Sequence, residues 1–304
     1  MKRFFCFGPF HARQSYFWTA FCVLVLLLSS CKSKPLPIEE PLPSIDLSLV
    51  FESIEADDPS LLHLLFTLNI GIPFPLAGQA GIESWQVEIN GQKAGSGFAL
   101  DCGGSEAFPL APGPNAFPLL LDMDVAALAA QGLAPADDYE VNLTATLAFS
   151  RAAPDSPPPA RIEVSGLAVF PGLRPPAFNI TSIAILKAEL INTRFRVGLK
   201  IDNPNPFPVE LSSFSYELYG NGRLWADGIE KNILKVNRKS SLEGNLFLIM
   251  NFINMKRDLL DQVINLIDVN YRFAGEAQVI SGVEYLPKFK TEFDLSGYSQ
   301  VFDN

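Results

Sequence analysis

Few side chains here have the type and setting for covalent or acid–base chemistry. The thiols are Cys6, Cys22, Cys31 and Cys102, and the imidazoles are His11 and His63. His63 stands in Leu61-Leu-His-Leu-Leu, an apolar context that reads as a strand residue near a domain edge. A metal centre built on imidazoles needs more ligands than this, so none is expected. The carboxylate pairs Glu39-Glu40, Asp57-Asp58 and Asp137-Asp138 lie in loop-like sequence and read as solvated turns. There is no Gly-x-Ser-x-Gly elbow to present a nucleophilic serine. A phosphate loop and a dinucleotide fingerprint are missing as well. The expectation is a protein that is not an enzyme and carries no cofactor.

Cys31 is the thiol with a chemical context. It closes the run Phe17-Trp-Thr-Ala-Phe-Cys-Val-Leu-Val-Leu-Leu-Leu-Ser-Ser-Cys31. Lys2, Arg3 and Arg13 precede the run, and no acidic residue occurs before Glu39. The ending Leu28-Ser29-Ser30-Cys31 resembles a bacterial lipobox, where the thiol receives a diacylglyceryl group and the chain is cut just before it. Tyr16 to Leu28 gives 13 apolar or weakly polar residues. A membrane-spanning helix needs about 20, so the length suits a signal-peptide core better. Residues 1–30 are therefore expected to be a lipoprotein signal peptide, with Cys31 lipidated. Acyl chains contribute about 0.8 kcal/mol per buried CH2, so several chains on one cysteine anchor firmly. Lys32 rather than aspartate follows the cysteine, which favours the outer membrane of a double-membraned cell.

This processing bounds the rest. Cys6 and Cys22 leave with the signal and Cys31 is acylated, so only Cys102 remains and no intramolecular disulfide can form. Cys102, in Asp101-Cys-Gly-Gly, reads as an incidental loop cysteine. Losing residues 1–30 removes three basic residues and no acidic one. That leaves 20 Lys+Arg against 33 Asp+Glu, a formal charge of −13. Such a charge repels nucleic acid and anionic headgroups and favours solubility. The expected partners are a membrane, through the lipid on Cys31, and client proteins or lipid, but no nucleic acid. Nothing in the sequence sets the oligomeric state.

Residues 31–44 carry prolines at 35, 37, 41 and 43 and read as an extended tether. The remainder divides into 45–175 and 176–304, because the chain repeats itself at about 45–172 and 176–299. Leu64-Leu-Phe-Thr-Leu-Asn-Ile-Gly-Ile-Pro-Phe-Pro lies beside Val197-Gly-Leu-Lys-Ile-Asp-Asn-Pro-Asn-Pro-Phe-Pro. In each copy a second strand follows and ends in Asn-Gly, at Asn90-Gly91 and Asn221-Gly222, where a tight hairpin needs positive φ. Tyr139–Phe149 and Arg161–Val169 close the first copy; Tyr271–Ile280 and Phe289–Leu295 close the second. Pro154–Pro159 reads as a surface loop. One helix is expected per copy. Asp124 caps Val125–Gln131, with Gly132 as the stop. Asn254–Ile267 carries Leu259, Leu260, Val263, Ile264 and Ile267 on one stripe.

The most patterned stretch is Ile201-Asp-Asn-Pro-Asn-Pro-Phe-Pro-Val-Glu-Leu. Pro204, Pro206 and Pro208 lack the N–H a ladder needs, and each pushes the preceding residue extended, so the strand ends here or runs along an edge. Asn203 and Asn205 can bond backbone groups the prolines leave unpaired. The loop reads as a rigid crossover, with a binding loop as the alternative.

This motif, with the following Leu211-Ser-Ser-Phe-Ser-Tyr-Glu-Leu-Tyr-Gly-Asn-Gly, resembles the WHy domain (water stress and hypersensitive response) of group 2 late embryogenesis abundant proteins. The resemblance covers roughly 178–298. The first copy departs from it, with Gly71-Ile72 where Pro204-Asn205 stand in the second. The resemblance implies a mostly β protein of two tandem antiparallel β-sandwich domains in the fibronectin style, each with about one helix. It implies stress tolerance, in desiccation or cold, without catalysis. The alternatives are a carrier or sensor of lipid or another apolar ligand, and an assembly partner of another envelope protein.

Overall fold

The computed structural model describes residues 45–72, 78–104, 107–151, 160–187, 192–251 and 268–303. Cys31, the signal and tether, Pro73-Phe74-Pro75, the Pro154–Pro159 loop and the helix expected over Asn254–Ile267 lie outside them.

The described chain is mostly β, in several sheets whose neighbours are almost all antiparallel. The N-terminal half holds nine strands: β1 (Asp46–Asp58), β2 (Leu61–Ile72), β3 (Gly78–Ile89), β4 (Gln92–Lys93), β5 (Phe98–Asp101), β6 (Phe108–Leu110), β7 (Gly113–Asp124), β8 (Asp138–Arg151) and β9 (Ala160–Pro171). One sheet runs β1-β2-β7-β5 and another runs β4-β3-β8-β9, with β6 also on β3. The C-terminal half holds β10 (Ala177–Lys187), β11 (Asn192–Asn203), β12 (Val209–Gly220), β13 (Arg223–Glu230), β14 (Leu234–Val236), β15 (Ser240–Asn251), β16 (Asp268–Ile280) and β17 (Lys288–Asp303). These form one path, β13-β12-β16-β17-β10-β11-β15, with β14 on β12. Strand β17 joins its two parts: it pairs with β16 over 288–300, then runs parallel to β10 over 301–303.

Period-two patterning builds the interior. In β2 the residues Leu62, Leu64, Phe66, Leu68, Ile70 and Ile72 are buried, and those between them are half-buried. The buried apolar residues fall into two clusters. One runs from Leu49 to Phe170 and draws on both N-terminal sheets; the other runs from Leu173 to Phe293. Ala56 and Tyr285 pack at the margin of both. Phe66, Phe195, Phe214 and Phe273 are fully buried, each stabilising by about 1.5–3 kcal/mol relative to exposure.

Local chemistry sets the ends of the elements. Asn90 and Gly91 have φ of 49° and 76°; Asn221 and Gly222 have 49° and 75°. Both turns are of the twisted kind that matches strand twist. Each turn asparagine also clamps the strand on the other side, β8 beside β3 and β16 beside β12. Asn90 Oδ1 accepts from the Glu140 N–H at 2.8 Å, and Asn221 Oδ1 accepts from the Asn270 N–H at 3.1 Å. A short helix, α1 (Val125–Ala130), follows β7. Asp124 caps it, accepting from the Ala127 N–H at 2.8 Å, and Gly132 leaves it at φ 92°. Strands β1, β4, β5, β6, β7, β10, β13, β14 and β15 are not expected from the sequence, and β5 and β6 are the least marked of these. They lie in sequence broken by Gly95, Gly97, Gly103, Gly104, Pro109 and Pro112, which carries little strand signal.

Candidate functional site

β11 ends at Asn203, where the prolines begin, and β12 starts at Val209. Two carboxamides organise the turn between them. Both are buried, Asn203 at 2% exposure and Asn205 at 0%. Asn203 Nδ2 donates to the carbonyls of Phe207 at 2.8 Å, Asn237 at 3.0 Å and Val236 at 3.3 Å. Its Oδ1 accepts from Asn205 N at 3.0 Å and Asn205 Nδ2 at 2.9 Å. Asn205 pairs with the backbone of Arg174, donating to its carbonyl and accepting from its N–H, both at 2.8 Å. The Asn205 carbonyl accepts from Lys239 N at 3.0 Å. Pro204, Pro206 and Pro208 stand between these anchors without donors of their own.

The loop thus faces the segment that links the halves. Arg174 Nη2 donates to the Pro204 carbonyl at 2.6 Å and to Asp137 Oδ1 at 2.7 Å. Lys239 Nζ reaches the same oxygen at 2.5 Å. The Lys239 bond first, and the Arg174 charge after it, hold the Asp137 carboxyl below the usual carboxylate range. Gly172 N–H donates to the Asp137 carbonyl at 2.7 Å. Tyr285 O–H donates to the Pro171 carbonyl at 2.7 Å, and its ring meets Phe170 edge-on at 6.1 Å. Burial pushes the Tyr285 phenol well up. Asp137 is therefore not a freely solvated turn residue. Its partners lie 37 and 102 positions away in the chain, beyond any local signal.

The remaining candidates are dispersed. His63 is the third residue of β2, a strand that lies between β1 and β7 in its sheet. Its Nδ1 stands 2.7 Å from Asp122 Oδ1, and its Nε2 is 3.8 Å from Asp57 Oδ2. The Asp122 bond raises the His63 pKa, partial burial opposes it, and Asp57 adds to the rise. A raised folded value stabilises fully below the unfolded imidazole pKa of about 6.5 and is lost as pH climbs through the folded value. Asp122→Asn is expected to bring the His63 titration down, followed by NMR of the ring protons; an unchanged titration means the pair is not formed. Asp58 ends β1 and caps the turn to β2, accepting from Ser60 and Leu61 N–H. Cys102 follows β5 as a free, half-buried thiol whose pKa burial pushes up. Among the described residues, no group of three His, Cys, Asp or Glu side chains is placed to hold a metal ion. Among the same residues, no helix is long and apolar enough to cross a membrane.

Residues 198–287, which contain the loop and β12 to β16, match the family described as late embryogenesis abundant protein. The chain is thus similar to that family over this part of its C-terminal half. No curated protein matches the chain. Among solved structures it is similar to a protein from Archaeoglobus fulgidus, at 18% identity and TM-score 0.25, over 41% of this chain and 96% of that one. The E. coli chaperone DraB matches at 13% identity and TM-score 0.24, over 83% of this chain and 98% of that one. A putative β-galactosidase from Bacteroides fragilis matches at 13% identity and TM-score 0.23, over 77% of this chain and 32% of that one. TM-scores this low carry no functional conclusion.

Proposed function

We propose that this is a non-catalytic, lipid-anchored envelope protein of two tandem WHy-like β-sandwich domains that protects or binds envelope components during desiccation or cold. The observation that carries the reading is the late embryogenesis abundant match over 198–287, which has the buried Asn203 and Asn205 turn near its N-terminal end. The repeat is supported by the two Asn-Gly hairpins, which clamp β8 and β16 in the same way. The Leu28-Ser29-Ser30-Cys31 context supports the anchor, and Lys32 in place of aspartate after it supports an outer-membrane address. The two amides spend their polar atoms on the protein's own backbone, which favours a structural role for the turn.

The test is protection of a labile enzyme through freezing and drying. The chain is expected to preserve more activity than an inert protein of equal mass and charge; equal preservation sinks the stress role. Anchoring is read separately, by labelling cells with a radioactive fatty acid. The wild type should take up label and Cys31→Ala should not.

A further inference from the structure

The two halves differ at one edge. In the N-terminal half, β2 pairs with β7 and the far edge of β7 is covered by β5. Phe98 lies opposite Met123, and Leu100 opposite Leu121. Both Phe98 and Leu100 pack against the buried cluster. In the C-terminal half, β11 pairs with β15 in the corresponding place, and among the described residues β15 has no second neighbour. The connection that holds β5, from Lys93 to Phe108, has shrunk to residues 231–233 between β13 and β14.

The layer beneath this edge is incomplete as well. Leu64 of β2 lies opposite Leu121, and Phe66 opposite Leu119. Val197 of β11 lies opposite Leu246, and Leu199 opposite Gly244. With Leu64 placed on Val197, Gly244 takes the position of Leu119, which is fully buried. A Cβ built on Gly244 meets nothing within 4 Å. The space left is a cleft of about 180 Å³ lined by Leu199, Ile201, Leu234, Leu242 and Leu246. Glu230 and Glu243 line it too; Glu230 accepts from the Lys231 and Asn232 N–H groups, and Glu243 lies opposite Lys200. Beside it, Phe247 is 67% exposed and Ile249 59%. Ile229 and Ile233 are exposed as well. A single-layer edge with apolar residues on both faces is a template for strand pairing.

We propose that the open edge of β15 and its cleft bind an extended segment of a partner protein, one with apolar side chains at alternate positions. Backbone pairing along β15 holds the segment, as β5 is held on β7. Its inward side chains fill the space at Gly244, as Leu119 fills the corresponding place in the N-terminal half. Strand addition of this kind draws affinity from the main chain and selectivity from side-chain pockets. The inference adds a partner class to the binding role proposed above.

The test uses the full chain in phosphatidylcholine nanodiscs and the fluorescent probe peptide Lys-Phe-Lys-Leu-Lys-Leu-Lys-Phe. The control peptide has the same composition with lysines and apolar residues segregated. The alternating peptide is expected to bind in the micromolar range and to slow hydrogen exchange over 242–248, while the control does neither. Gly244→Leu, which restores what Leu119 supplies, should weaken binding about tenfold or more and raise the melting temperature. Gly244→Ala should fall between, and decides the matter if the leucine variant does not fold. Equal binding by the wild type and the filled variants overturns the proposal. So does a β15 edge already protected in the free chain, which assigns it to residues 252–267 or to a second copy. Displacement of the peptide by palmitate, with no protection along β15, overturns it in favour of an acyl-chain site. Loss of client protection with intact peptide binding would sink only the stress role.

Discussion

Replacing Asn203 and Asn205 together by alanine is expected to destabilise the C-terminal half by about 2–4 kcal/mol. The two side chains are nearly inaccessible, and between them they serve the backbone of Phe207, Val236, Asn237, Arg174 and Asn205 itself. Truncation leaves buried carbonyls and N–H groups without partners, and each such group costs roughly 1–3 kcal/mol. The amides also bond to each other, so the two losses overlap rather than add. A change of this size is a large part of the roughly 5–15 kcal/mol typical of whole domains. Urea unfolding followed by circular dichroism reads it directly. The first half supplies the control. Asn69 has only a 3.3 Å bond to Ser48 Oγ at an exposed position, so Asn69→Ala should change stability by less than about 0.5 kcal/mol. A double variant that keeps its full stability yet loses binding or protection would make the loop a ligand site instead.

What the sequence disclosed and what it hid divide along a physical line. Features set by one or two residues and their neighbours were legible. Asn-Gly at 90–91 and 221–222 dictates positive φ, Asp124 finds the Ala127 N–H three residues on, and prolines stop β11 at Asn203. Features set by distant partners were not. Asp137 looks like one of two adjacent aspartates in a loop, and its role depends on Lys239 and Arg174. Tyr285 carries no motif, and it is the approach of Phe170 and Pro171 that gives it work. β5 was hidden differently: its four residues gain strand geometry only because the edge of β7 is there to pair with. Asn203 and Asn205 were legible as a motif, but their contact with Arg174, about thirty residues upstream, was not.

That contact shifts where the C-terminal half should be cut. The proposed repeat places the boundary at 175/176, yet Leu173 belongs to the second buried cluster and the Arg174 backbone completes Asn205. Two fragments are therefore expected to differ although only four residues separate them. Residues 172–304 retain Leu173 in the core and both Arg174 bonds, and should unfold cooperatively as a β-rich unit. Residues 176–304 lose a buried leucine, lose the two bonds between Asn205 and the Arg174 backbone, and open the Pro204 carbonyl. Leucine burial and the lost hydrogen bonds together amount to about 3–5 kcal/mol. At about 4 °C per kcal/mol for a unit of this size, the shorter fragment should melt more than 10 °C lower or stay unfolded. Thermal melts by circular dichroism decide it. Equal melting temperatures would mean that residues 172–175 bear no weight. If neither fragment folds, the contacts of Ala56 and Tyr285 with both clusters are enough to make the two halves one cooperative core.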